Sequence, residues 1–107
     1  MTGVQTCALP IFEEDYLKLE SFCIAHDLIL EDNQAATILS FSYNAGWQGF
    51  LSSSMARDLI SKNIEKVTTD LLKWNKIRIN GNLVFSAGLF NRRMQESKCF
   101  IDEGQCA

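Results

Sequence analysis

Proline and histidine are almost missing from this chain of 107 residues: Pro10 and His26 stand alone. A single proline near the start leaves everything from Glu13 onward without a helix breaker of that kind. The solitary histidine, with four cysteines (Cys7, Cys23, Cys99 and Cys106) that form no CxxC or Cys/His spacing, excludes a zinc site as a sequence-level reading, and no metal or cofactor is expected. Free thiols in a reducing cytoplasm are the expectation for all four. No stretch reaches the roughly 18 apolar residues that a membrane span needs. The opening residues also lack the basic start and long apolar region of a secretory signal. No repeat, low-complexity tract or long block of like charge suggests disorder.

What remains is a composition 47% hydrophobic, enough for one small core and one domain. The net charge of −3 hides an uneven distribution. Residues 13–32 hold seven acids against Lys18, and residues 55–98 hold nine bases against four acids. A basic half of this kind attracts anionic polymers through its long-range field, or is simply a solvated surface. Several short helices with Arg92 and Arg93 also fit a helix-turn-helix nucleic-acid-binding domain, the alternative reading. The acidic first helix and the net charge oppose that alternative, and no nucleic-acid partner is expected.

The stretch around which the rest is organised runs from Phe41 to Ser54. Residues 34–45 are apolar or small on every side, the pattern of a helix buried in mid-domain. Gly46 suits a left-handed helix end, and Gly49 a second turn. Ser52, Ser53 or Ser54 is placed to cap the next helix. Before this, Glu13, Glu14 and Asp15 open a helix that runs to about Asp27, with Tyr16, Leu19, Phe22, Cys23 and His26 on one stripe. Glu31 or Asp32 caps the buried helix. After it, Met55, Leu59 and Ile60 mark a short helix ending near Lys62. Ile64, Val67, Leu71 and Trp74 mark another, capped by Asn63, which places Trp74 in the core rather than on a sugar. The alternation around Asn80-Gly81 is a hairpin signal, although two isolated strands are marginal and a plain loop is the other reading. Ser86 precedes a last helix whose face carries Leu89, Phe90, Arg93, Met94, Ser97 and Ile101. The tail from Asp102 has no periodicity and is expected to fray. The fold class is therefore all-α in the main. His26 has no nucleophile pattern beside it and reads as structural or incidental.

Phe-Ser-Tyr-Asn-Ala-Gly at 41–46, Gly-Phe at 49–50, Ser-Ser-Ser at 52–54, Leu-Leu-Lys-Trp-Asn at 71–75 and Ala-Gly-Leu-Phe-Asn-Arg-Arg-Met-Gln-Glu at 87–96 follow one another in order. Together they resemble the carboxy-terminal lobe of phage-type lysozymes, the endolysins of glycoside hydrolase family 24. That family reads Phe-Asn-x-Gly, Gly-x-Phe-x-x-Ser, Trp, then Gly-Leu-x-x-Arg-Arg-x-x-Glu. The resemblance implies a lysozyme-like helical lobe over residues 13–103, followed by a frayed tail over 104–107; residues 1–12 separately resemble translated adaptor sequence and are expected to be a non-native extension.

It also implies hydrolysis of the β-1,4 bond between N-acetylmuramic acid and N-acetylglucosamine. The partner would be bacterial peptidoglycan, the location the host cytoplasm until lysis and then the periplasm or wall, and the state a monomer. By position in the family pattern, Tyr43, Asn44 and Ser53 would face the glycan, and Thr68 less directly, while Gly46 and Phe50 would be structural. Arg92 and Arg93 would bind acidic wall groups or pair with Glu96. The family's catalytic glutamate, aspartate about nine residues on and threonine about six further sit on a glycine-rich β lobe. Nine residues after Glu13, Glu14, Glu20, Glu31 and Glu65 stand Phe22, Cys23, Ile29, Ser40 and Trp74. No catalytic residue is therefore assigned, and the β-containing catalytic lobe is expected to be missing.

Overall fold

The computed structural model describes residues 12–106. The expectation of a non-native extension over residues 1–12 thus lies, but for Phe12, outside the described residues.

Helix α1, Phe12–Ala25, buries Leu19 and Phe22 and half-buries Tyr16 and Cys23, which is the predicted stripe. It ends two residues earlier than expected. His26 lies beyond it, exposed, with its ring 4.8 Å from that of Phe22. Asp27 takes a positive φ of 52°, and Lys62 donates from its ammonium to the carbonyls of His26 at 2.8 Å and Asp27 at 2.6 Å. A cation thus sits on the orphan carbonyls at the end of a helix.

Helix α2, Asp32–Ala45, occupies the middle of the molecule and packs against α1, the short helix that follows and the last helix. At its start the side chain of Gln34 accepts from the Glu31 N–H at 2.9 Å. Ile38, Leu39 and Phe41 are buried, as the absence of a polar face requires. Gly46 ends it with φ 89° and ψ 150°, its N–H donating to the carbonyl of Ser42 at 2.7 Å. This corrects the expected left-handed cap: φ is positive, but ψ lies in a region that is essentially glycine's alone. Gly49 does not turn the chain. It sits inside α3, Trp47–Leu51, where a Cβ would stand 3.5 Å from Ala45 Cβ and 3.8 Å from the Trp74 ring.

Ser53 caps α4, Ser54–Ile60, by accepting from the Ala56 N–H. A 3-10 turn, Ile64–Lys66, leads into α5, Val67–Leu72. Asn63 precedes that turn without a side-chain cap, and Trp74 falls just past α5, half-buried, with its ring edge-on to Phe41 at 5.1 Å.

Strands β1, Lys76–Ile79, and β2, Asn82–Phe85, pair antiparallel, with Lys76 opposite Phe85 and Ile79 opposite Asn82. The two-residue link has positive φ at Asn80 and Gly81, 51° and 84°, which is the conformation that an Asn-Gly hairpin turn demands. Ser86 then caps α6, Ala87–Ile101, accepting from the Leu89 N–H at 3.2 Å.

The two long helices, α2 and α6, are tied by polar groups as well as by packing. The amide of Asn33 donates to the carbonyls of Cys99 and Phe100, at 2.9 and 3.0 Å, and the Thr37 hydroxyl donates to those of Asn33 and Glu96. After α6 the expected frayed tail instead carries a 3-10 turn, Glu103–Gln105, and Cys106 is bonded to Cys99 as a disulfide. The turn folds the chain back, bringing the two Cα atoms within 4.4 Å. The free-thiol expectation is thereby corrected for this pair. Among the described residues Cys23 is the free cysteine, its thiol pushed up by burial against the lowering field of Lys62.

Candidate functional site

The last turn of α2 brings Tyr43 and Asn44 to the surface beside α6. What lies beneath them decides how they are held. The Asn44 Oδ1 accepts from Arg93 Nη2 at 3.1 Å. Arg93 has no exposed surface at all. Its Nη2 also donates to Glu96 Oε2 at 3.2 Å, its Nε stands 2.8 Å from Glu96 Oε1, and its guanidinium lies 4.8 Å over the Phe41 ring. The Nε contact is an ion pair with poor hydrogen-bond alignment, and Nη1 has no hydrogen-bond partner among the described residues, so the guanidinium is held by charge more than by ideal geometry.

Glu96 collects the rest of the network. Ser40 donates to its Oε2 at 2.7 Å, and Arg92 Nε stands 3.4 Å from the same oxygen, while Arg92 Nη2 donates to the Ser40 carbonyl. Burial pushes the Glu96 carboxyl above its ordinary value, against the hydrogen bond from Ser40 and the charges of both arginines. Burial likewise lowers Arg93, against the field of Glu96. Both partners thus carry a desolvation penalty that their mutual attraction only partly offsets.

This arrangement answers the open question about Arg92 and Arg93: both pair with Glu96. Nothing here favours the helix-turn-helix alternative: Arg93 is wholly buried, and Arg92, partly exposed, is paired with an internal carboxylate. Glu96 itself, enclosed and bonded, cannot reach a glycosidic oxygen.

The four residues predicted to face a ligand do not converge. Ser53 is buried and its hydroxyl is committed, donating to the Phe50 carbonyl at 2.6 Å and capping α4. Thr68 lines an open groove of about 340 Å³ with Gln34, Ile64, Glu65, Phe100 and Ile101. Gln34 is ten positions from Asn44 on the same helix, roughly 15 Å away at 1.5 Å per residue. Tyr43 and Asn44 remain together and accessible. Among the described residues no cluster of three His, Cys, Asp or Glu side chains is placed to hold a metal ion.

Sequence reasoning missed Ser40 and left Arg93 undecided. The signal was present, since Arg93 falls at the inward period of α6 with Leu89, Ser97 and Phe100, and Glu96 follows it by three. An inward arginine requires an inward acid, and Glu96 supplies it.

Comparison with known proteins places this geometry in context. The phage lysozyme family model matches residues 5–96. The endolysin of Bacillus phage B103 is 36% identical over 69 residues, covering 64% of this chain and 25% of that protein. Among solved structures, the endolysin from Escherichia coli O157:H7 phage FAHEc1 superimposes with a TM-score of 0.69 at 26% identity, over 71% of this chain and 48% of the other. The muramidase domain of SpmX from Asticaccaulis excentricus does so with a TM-score of 0.71 at 23% identity, over 84% and 62%, a likeness of fold. The chain thus spans less than two thirds of the length of each of these proteins.

Proposed function

The chain belongs to the phage lysozyme family, and from that premise we propose that it is the helical lobe of a peptidoglycan-degrading endolysin. The whole enzyme would hydrolyse the β-1,4 bond between N-acetylmuramic acid and N-acetylglucosamine, with synthesis in the host cytoplasm and action at the wall. The observation that carries the assignment of a site is the Tyr43–Asn44 pair, exposed at the end of the most buried helix, with the Asn44 oxygen engaged by Arg93. That contact directs the Asn44 NH2 group away from the guanidinium. It is then available to donate to a carbonyl or hydroxyl oxygen of the glycan, and the Tyr43 ring offers an adjacent face to the sugar.

This lobe supplies one wall of a cleft and not the chemistry. Glycoside hydrolysis needs two carboxyl groups flanking the bond, about 5 Å apart for retention and about 6.5–9.5 Å for inversion. No glutamate from Glu13 to Glu65 is followed by an aspartate nine residues on. The carboxyl groups that α4 and α5 bring together are Asp58 and Asp70, and Asp70 raises the Asp58 carboxyl above its ordinary value. A monomeric wall-binding lobe without the acid and its partner is the reading that results.

Purified chain is expected to sediment weakly with peptidoglycan, and less after the joint change Tyr43→Ala and Asn44→Ala. It should not clear a wall suspension. Fusing a glutamate-, aspartate- and threonine-bearing lobe before Glu13, with residues 1–12 removed, should restore clearance. Lysis by the unmodified chain, lost on changing one acid within residues 13–32, would overturn the assignment.

A further inference from the structure

The hairpin of β1 and β2 is the part of the molecule that its own fold uses least. All eight strand residues are exposed, and five of them are large and apolar: Ile77, Ile79, Leu83, Val84 and Phe85, each 40–60% accessible. Its ties to the body are few. Ser86 N–H donates to the Asn75 carbonyl at 2.7 Å, and the Phe85 ring lies 5.8 Å from that of Phe90.

Paired residues share a face of a two-stranded sheet. One face therefore carries Ile77, Ile79 and Val84 with Asn82, and the other Leu83 and Phe85 beside Lys76 and Arg78. Neither face is polar, unlike the usual one-sided sheet on a protein surface.

Charge decides what such a surface suits. Residues 71–95 contain five bases and no acid. Lys76 and Arg78 make no ion pair among the described residues; their polar contacts are with Asn75 Oδ1 and the Gly81 carbonyl. A second copy pairing along β1 would bring the Lys76 and Arg78 of both copies together, which disfavours self-association through that edge.

We propose that the hairpin docks on an anionic lipid surface by the face that carries Lys76, Arg78, Leu83 and Phe85. Leu83 and Phe85 enter to the acyl boundary, and Lys76 and Arg78, paired across from them, meet the headgroup phosphates. Apolar side chains buried about 5–10 Å with bases above them form the usual arrangement of an interfacial segment, and anionic lipid rewards each base near the surface. This is attachment to one leaflet. No helix of the described residues is long and apolar enough to span a membrane.

Co-sedimentation of the whole chain with vesicles of phosphatidylglycerol and phosphatidylcholine in equal parts, against pure phosphatidylcholine, tests this. Binding should appear with the anionic vesicles, weaken as salt rises, and fall about fivefold for each of Lys76→Gln and Arg78→Gln, the factor that about 1 kcal/mol per base corresponds to. The joint change Leu83→Ser and Phe85→Ser should reduce it by about tenfold or more, with an unchanged helical circular dichroism spectrum, since the hairpin stands apart from the core.

Three results would overturn the proposal. One is the lack of binding to anionic vesicles. Another is binding that Leu83→Ser with Phe85→Ser leaves intact, which would indicate attraction to any polyanion. The third is concentration-dependent dimerisation abolished by that same change in the absence of lipid, which would make a second copy the occupant.

Discussion

Arg93 is the largest side chain that the interior takes in whole, and Glu96 is the reason that it can. Arg93→Ala would leave that carboxylate buried beside only the half-exposed Arg92, so a loss of about 3–5 kcal/mol is expected from the shift of a urea midpoint. Replacing both, Arg93→Met with Glu96→Leu, should cost clearly less than the single change, because no charge is then stranded. A different pair gives a pH signature. Asp70, buried on α5, lies beside Asp58 and raises the Asp58 carboxyl above its ordinary value through hydrogen bonding, with desolvation and like charge in the same direction. Burial raises Glu96 in the same direction. A carboxyl raised in the folded state contributes fully below its unfolded pKa and loses that contribution as the pH climbs through the folded one. Thermal midpoints should therefore fall as the pH rises above the ordinary carboxylate range, and Asp58→Asn should flatten part of the slope.

Gly46, between α2 and α3, and Gly49, inside α3, stand three residues apart and should respond oppositely to the same substitution. Gly46→Ala meets no neighbour within 4 Å but forces a side chain onto a φ of 89°, a cost of about 1–3 kcal/mol. Gly49→Ala meets only ordinary contacts, in a helix, and should be neutral or stabilising by up to about 1 kcal/mol. Leu39→Ala in α2 should cost about 2–5 kcal/mol by equilibrium denaturation. Much at this scale was legible in the chain. The all-apolar run of residues 34–45, Asn80-Gly81, and the serines before α4 and α6 each carry a local cause for the element found. What was not legible depended on partners distant in sequence. That Asn44 is held by Arg93, that Ser53 is buried, and that Thr68 opens toward Gln34 follow from how helices cross, which no spacing within one helix records. The cysteine pair was missed because seven residues of separation do not reveal that the chain doubles back after α6.

In the whole molecule, α2 is the element on which the others rest, yet its principal polar ties run to the far end of the chain: Thr37 to Glu96 and Asn33 to Phe100 are 59 and 67 residues apart. During synthesis, at about 5–20 residues per second, α2 is complete some fifty-odd residues before α6 is. For roughly 3–11 s a helix with seven buried residues has emerged while the partner that covers its other side has not yet been made. The interval is long against collapse. A destabilising change in α6 should thus lower soluble yield more than it lowers the melting temperature of the protein that survives, and co-expression of a holdase chaperone should narrow the difference.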